Sequence, residues 1–277
     1  WFSDVRLEGK TAIVTGANAG IGKETAKDLA GRARVILACR DMAKGERAAH
    51  DIVREVKEAK VVVMQLDLAD IKSIYQFAEN ISNLHYLINN AGVAMCPFAK
   101  TVDGFEMQFG VNHLHFLLTF LLLNLLKHSA PSQVINVSSV AHMMGKIQFD
   151  DLSGERNYHP VRAYAQSKLA NILFTKELAR RTEGVMVYSV DPGIVNTEIL
   201  RHIRRPLSDI IKTFGFLVKT PAEGAYTSIY CIVTPENQLL TGGHYDCASA
   251  RSCRAGQDDG TALKLWAVSC HLLGIQW

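Results

Sequence analysis

Seven short runs dominated by Val, Ile, Leu and Ala alternate along the chain with longer stretches in which apolar residues recur every three or four positions. The runs at 11–15, 34–38, 61–66, 86–89, 134–138, 185–190 and 244–246 are continuous rather than alternating, the pattern of strands covered on both faces. The stretches at 22–29, 42–56, 71–81, 103–126, 164–181 and 222–233 carry helical spacing. Strand followed by helix, repeated, predicts an α/β fold: a single doubly wound Rossmann-type parallel sheet of about seven strands with helices on both faces. Right-handed crossovers then bring the carboxyl ends of the strands to one edge. With 277 residues, a single domain over 1–277 is the expectation. Residues 201–220 break the alternation. There Pro206, Leu207, Ile210, Ile211, Phe214, Phe216 and Leu217 sit between basic flanks, which fits either a substrate lid or a helix packed on the core.

Composition narrows the partners. A hydrophobic share of 48% and a charged share of 21% describe an ordered globular chain with a sizeable core. Thirty basic against 27 acidic residues, net +3, is too balanced for a nucleic-acid binder. The one basic cluster, Arg201-His-Ile-Arg-Arg205, reads as a solvated loop or as a contact to anionic lipid. Six cysteines lack pairing or metal-ligand spacing, so reduced thiols facing the cytosol and no metal centre are expected. The apolar stretch 114–126 is interrupted by His115, Thr119 and Asn124 and is shorter than the ~18 residues of a membrane span. It reads as a buried helix, with a homodimer contact as the further option. The start at Trp1 reads as a fragment, with any membrane anchor upstream.

Two motifs carry chemistry. The first run ends in Thr15-Gly-Ala-Asn-Ala-Gly-Ile-Gly22, and an amphipathic stretch comes directly after it. Strand, glycines and helix in this order make a phosphate cradle: Gly16 for the tight turn, Gly20 for close approach of the backbone, Gly22 for helix packed on strand, with helix N–H groups aimed at the ligand. The spacing Gly-x-x-x-Gly-x-Gly differs from the Gly-x-Gly-x-x-Gly dinucleotide fingerprint. The second motif is Tyr164-Ala-Gln-Ser-Lys168. Four residues apart on a helix, the two side chains share a face, and an ammonium beside a phenol that normally ionises near ~10 favours the phenolate. Alone, this pair is better explained by a surface helix than by catalysis.

Together these blocks, with Leu66-Asp-Leu68, Asn89-Asn-Ala-Gly92, Asn112, Asn136-Val-Ser-Ser139 and Pro192-Gly193 in order, resemble the short-chain dehydrogenase/reductase family across nearly the whole chain. Ala38-Cys-Arg-Asp-Met42, Asp103-Gly-Phe-Glu-Met-Gln-Phe-Gly-Val-Asn112 and Val137-Ser-Ser-Val-Ala-His142 look like its retinol dehydrogenase branch. That resemblance implies a catalytic set of Ser139, Tyr164, Lys168 and Asn112. Tyr164 would be the general acid/base, Ser139 would bind the reacting oxygen, Lys168 would hold the ribose and lower the Tyr164 pKa, and Asn112 would anchor a water. It implies cofactor contacts from Gly16, Asn18, Ala19, Gly20, Ile21 and Gly22 in the loop, and from Asp67 and Leu68 beside the adenine. Asn89, Ala91 and Gly92 would come next along the ribose, and Pro192, Gly193, Val195 and Thr197 would hold the carboxamide. It also implies a small lipophilic carbonyl or alcohol substrate, with retinal and retinol leading. Peripheral contact with the cytosolic face of the endoplasmic reticulum is implied too, with cytoplasmic or mitochondrial membrane as the alternative.

Cofactor choice is read after the second strand, where an acid binds a ribose 2′-hydroxyl and an arginine accommodates a 2′-phosphate. Cys39 stands where the family's acid is expected, and Arg40 comes next with Lys44 one turn on, which suits NADP(H). Asp41 leaves the NAD(H) option open. The chain also departs from the family: it lacks a glycine between Leu114 and His115, and one residue lost within a helix rotates every later residue by about 100°. Either Asn112 or the helix after it is expected out of register. A steroid or lipid-aldehyde reductase, and a silent cofactor-binding scaffold, are the competing functions.

Overall fold

A computed structural model describes residues 3–197, 218–246, 249–250 and 255–277. Seven strands run parallel in one sheet: β1 (Thr11–Thr15), β2 (Arg34–Cys39), β3 (Lys60–Gln65), β4 (Tyr86–Asn89), β5 (Ser132–Val137), β6 (Val185–Asp191) and β7 (His244–Asp246). A short antiparallel β8 (Ser249–Ala250) adds to β7, giving the order β3-β2-β1-β4-β5-β6-β7-β8. The order reverses between β1 and β4, where such sheets open a crevice at the strand carboxyl ends.

Successive strand residues feed opposite faces, so each face needs its own helices. Ala12, Val14, Val35, Leu37, Ile88 and Ile135 pack on one side with α1 (Gly20–Ala30), α2 (Met42–Glu55) and α7 (Pro221–Val233). Ile13, Ile36, Leu87, Val134 and Val187 pack on the other with α3 (Ile71–Glu79), α5 (His115–His128), α6 (Pro160–Arg181) and α8 (Asp259–Leu273). α6 is the long central helix, opened by Pro160 at its first turn. α8 is begun by Asp258, whose carboxylate accepts the Thr261 amide, and ends at left-handed Gly274. Residues 201–217 of the expected lid lie outside the described residues.

The one helix expected over 103–126 is interrupted: α4 (Met107–His113) and α5 meet at Leu114, where ψ is 3°. On either side of that turn α4 buries Gln108 through His113, and α5 buries Phe116, Leu117, Leu118, Leu122 and Leu126. The apolar face of α5 meets α3, Trp266 and Trp277, so the stretch read as a buried helix is one.

The same junction stores an acid sensitivity. His113 and His115 are buried, and burial pushes their pKa values down to about 3 and about 4. A depressed imidazole contributes stability that is complete above its unfolded value of about 6.5 and is lost as pH falls toward the folded value. Lowering pH from 7 to 5 is expected to cost about 2 kcal/mol for each ring. Urea melts across that range check it, and His113→Gln is expected to flatten the slope.

Candidate active site

The crevice is a cleft of about 680 Å³ whose wall is built from the loops after six strands. After β1, the glycine loop turns into α1. Gly16 and Gly20 have φ of +67° and +57°, and a Cβ on Gly22 would come within 2.5 Å of the Gly16 carbonyl oxygen. The close packing read from the sequence is therefore real. Ala19 precedes α1 without a side-chain cap and no acid sits in the first turn, so the orphan N–H groups face the cleft with their partial positive charge unopposed. These features fit a pyrophosphate.

After β2, Arg40, Asp41 and Lys44 line the cleft. Asp41 caps α2, its Oδ1 accepting the Lys44 amide at 3.0 Å, so its carboxylate is committed to the helix. Arg40 and Lys44 are both exposed cations at this position, and the donor set fits a 2′-phosphate. Asp67 and Leu68 come after β3, and the Asp67 carboxylate accepts the Ala69 amide. After β4, Ala91 and Gly92 reach the cleft, and Thr15 Oγ1 accepts the Asn90 and Ala91 amides at 2.9 Å each. Pro192, Gly193, Val195 and Thr197 line it after β6.

Two expected residues lie elsewhere. Asn89 is buried in the sheet, donating to Thr119 Oγ1 and Asn136 Oδ1, so it braces strands rather than meeting a ribose. The asparagine that faces the cleft is Asn90. Asn112 is also buried behind the wall. Its amide bonds both the N–H and the C=O of Val93 and donates to Ser167 Oγ. Its main-chain oxygen is 3.1 Å from His115 Nδ1. A carbonyl only accepts, so Nδ1 carries the proton and Nε2 accepts from Thr15 Oγ1 at 2.9 Å. His115 thereby ties the asparagine turn to the phosphate loop.

At the far end of the cleft stand Ser139, Tyr164 and Lys168. Adjacent Ser138 and Ser139 point apart. Ser138 Oγ donates into α6 at the Lys168 carbonyl, whereas Ser139 lines the cleft with Tyr164, its Oγ accepting the Ala141 amide. Lys168 Nζ lies 5.8 Å from the Tyr164 ring centroid and donates to the Val137 carbonyl at 3.0 Å. Burial dominates their acidities. It drives Tyr164 up to about 12 against the opposing influence of Ser139, and Lys168 down to about 8. The expected lowering of the phenol by the ammonium is reversed, because burial disfavours both charges and the lysine is committed to Val137. The phenol stands as a proton donor. Met95, Met143 and Met144 line the pocket, and Val93, Ala94 and Ala141 stand on the same wall. A buried group behind Ser139 was unforeseen: His142, Asp191 and His244, whose ligand-type atoms lie within 4.8 Å of one another.

A switch-point cleft with a phosphate-binding helix end and a serine-tyrosine-lysine set defines a dinucleotide-dependent oxidoreductase acting on CH–OH groups. The chain belongs to the short-chain dehydrogenase family, whose model matches residues 10–208, and within it to the retinol dehydrogenase branch. It is 55% identical over 284 residues to Retinol dehydrogenase 11 of Mus musculus, covering 99% of this chain and 89% of that protein. Among solved structures it is similar to an uncharacterized protein from Mycobacterium Paratuberculosis, with TM-score 0.81 and 36% identity over 98% of this chain and 96% of that one. It is also similar to the Pseudomonas aeruginosa RhlG/NADP active-site complex, with TM-score 0.70 and 25% identity over 87% and 95%.

Proposed function

We propose that the protein is an NADP(H)-dependent oxidoreductase that interconverts retinal and retinol or similar lipophilic aldehydes and alcohols. The observation that carries this reading is that Ser139, Tyr164 and Lys168 stand together on one cleft, with Lys168 Nζ 5.8 Å from the Tyr164 ring, and that Met95, Val140, Met143, Met144 and Ile194 wall the same cleft. Such a wall accepts an extended apolar molecule and leaves its carbonyl as the one group seeking a donor.

When bound, the reduced nicotinamide supplies the hydride. The glycine loop and the α1 amino end would hold its pyrophosphate, Arg40 and Lys44 its 2′-phosphate, and Pro192 through Thr197 its nicotinamide end. In reduction, Tyr164 gives its hydroxyl proton to the oxygen of the forming alkoxide while Ser139 steadies the same oxygen. Lys168, drawn toward neutrality by burial, exchanges protons readily near pH 8 and is placed to return one to the tyrosine. In oxidation the proton moves the other way. Val140, Met143, Met144 and Ile194 are exposed at the mouth, which supports delivery of substrate from a membrane surface and a site on the cytosolic face of the endoplasmic reticulum.

Absorbance at 340 nm tests the reading. NADPH oxidation is expected with all-trans retinal, and its absence with retinal, a steroid ketone and a long-chain aldehyde alike would sink the assignment. For the cofactor, Arg40→Ala is expected to weaken NADPH binding about 10- to 100-fold while leaving NADH unchanged, the loss of one charged hydrogen bond to phosphate. Fluorescence titration with both dinucleotides measures that ratio.

A further inference from the structure

The loop after β4 carries a strained residue at the reacting end of the cleft. Met95 has φ of +53°, in the left-handed region that side chains other than glycine enter at a cost. Glu58, the other such residue among those described, sits in an exposed turn. Met95 instead lines the cleft and packs against the cluster of Ala94, Ala141, Tyr164 and Ala165.

Strain of this kind persists only where the neighbours over-determine it. Three side chains do so here. Gln108, fully buried on α4, accepts the Met95 amide at Oε1 over 2.7 Å. Its Nε2 donates to the Tyr158 hydroxyl at 2.8 Å and to the Pro160 carbonyl at 3.0 Å. A main-chain amide only donates and a carbonyl only accepts, so these partners allow one orientation of the Gln108 amide. Tyr158 in turn donates to the Cys96 carbonyl at 2.7 Å, with its ring edge-on to Phe98. One turn along α4 from Gln108, Asn112 bonds the Val93 N–H at 2.8 Å and the Val93 C=O at 3.0 Å. Val93, Met95 and Cys96 are thus each pinned through the main chain. Pro160, the further partner of Gln108, opens the helix that carries Tyr164, so one buried amide ties Met95 to the tyrosine's own helix.

We propose, resting on the oxidoreductase reading above, that Met95 determines substrate specificity at the reacting end of the cleft, and that Gln108 is a positioning residue that holds Met95 in its left-handed conformation. The thioether chain then bounds the space beside Tyr164, admitting a slender carbonyl end and resisting a bulky one. The test compares kcat/KM with NADPH for all-trans retinal and for cyclohexanecarbaldehyde, whose ring sits directly on the carbonyl carbon. In Met95→Ala the ratio of the cyclic aldehyde to retinal is expected to rise about tenfold, the shift residing mainly in KM. Gln108→Met keeps the volume and removes the hydrogen bonds. It is expected to move the same ratio in the same direction by about fivefold, the effect of about one hydrogen bond, with NADPH affinity by fluorescence titration within about twofold. Should that variant fail to fold, Tyr158→Phe removes the hydroxyl that serves Gln108 and Cys96 while keeping the ring on Phe98, and a shift of about threefold in the same ratio is expected. A ratio unmoved in Met95→Ala or in Gln108→Met, or both aldehydes and NADPH weakened equally in Gln108→Met, overturns the proposal alone. A wild-type enzyme that turns over neither aldehyde overturns the oxidoreductase reading and this proposal with it.

Discussion

Tyr164→Phe is expected to lower kcat for retinal reduction by about a thousandfold, within the range found for removal of a general acid. The ring keeps its packing in the substitution, since Ala94, Ala141 and Ala165 surround it and the fold does not depend on the hydroxyl. Affinity for the dinucleotide is therefore expected to stay within about twofold, so that chemistry and binding separate cleanly. Single-turnover absorbance with saturating NADPH measures the first and fluorescence titration the second. Equal traces for the two proteins would favour the silent scaffold. Lys168→Ala is the contrasting case. Its amine packs under the Tyr164 ring and close to Gly92, where a Cβ would lie 3.6 Å from Nζ, so both readouts are expected to fall.

Gly22→Ala is expected to abolish measurable dinucleotide binding and to destabilise the fold by about 2–3 kcal/mol, as overpacking against backbone does. The new methyl would lie 2.4 Å from Asn90 Nδ2 and 2.5 Å from the Gly16 carbonyl oxygen. Asn90 itself donates to the Thr15 carbonyl at 2.8 Å, so neither neighbour moves without opening the loop. Gly104→Ala is the control: φ there is +87° and nothing lies within 4 Å. It is expected to cost about 1 kcal/mol for the left-handed backbone and to leave cofactor affinity unchanged. Thermal melts paired with NADPH titration distinguish the two, and retained binding in Gly22→Ala would show that the glycine cradle is not the cofactor's seat.

The strands were legible because a doubly covered parallel strand is apolar through its middle: residues 11–15 and 86–89 match their observed bounds to the residue. The phosphate loop was legible for a similar reason, since Gly16 and Gly20 adopt backbone that other residues reach only under strain. α8 went unread although Asp258 and Gly274 mark both its ends. Its face is apolar on too many sides for helical periodicity to stand out, and Trp266 and Leu265 settle its place only through tertiary packing. Which of Asn89 and Asn90 faces the cleft is unmarked in the sequence, because adjacent asparagines at a strand end look alike and pleating decides which faces inward. The His142, Asp191 and His244 group was invisible for a stronger reason. Its members come from three separate stretches, and only the alignment of β5, β6 and β7 brings them together. The Tyr164 acidity was misjudged because spacing reports which groups are neighbours, not how much water they lose.

The aromatic stack on the α5 and α6 face sets an order on biosynthesis. Phe116 and Phe174 lie against one another at 5.0 Å, and Trp266 of α8 packs on both. On a translating ribosome those two rings emerge long before the tryptophan that covers them. The nascent chain thus presents a sticky aromatic flank that closes only when α8 leaves the exit tunnel, so chaperones meet that flank throughout the interval between the two events.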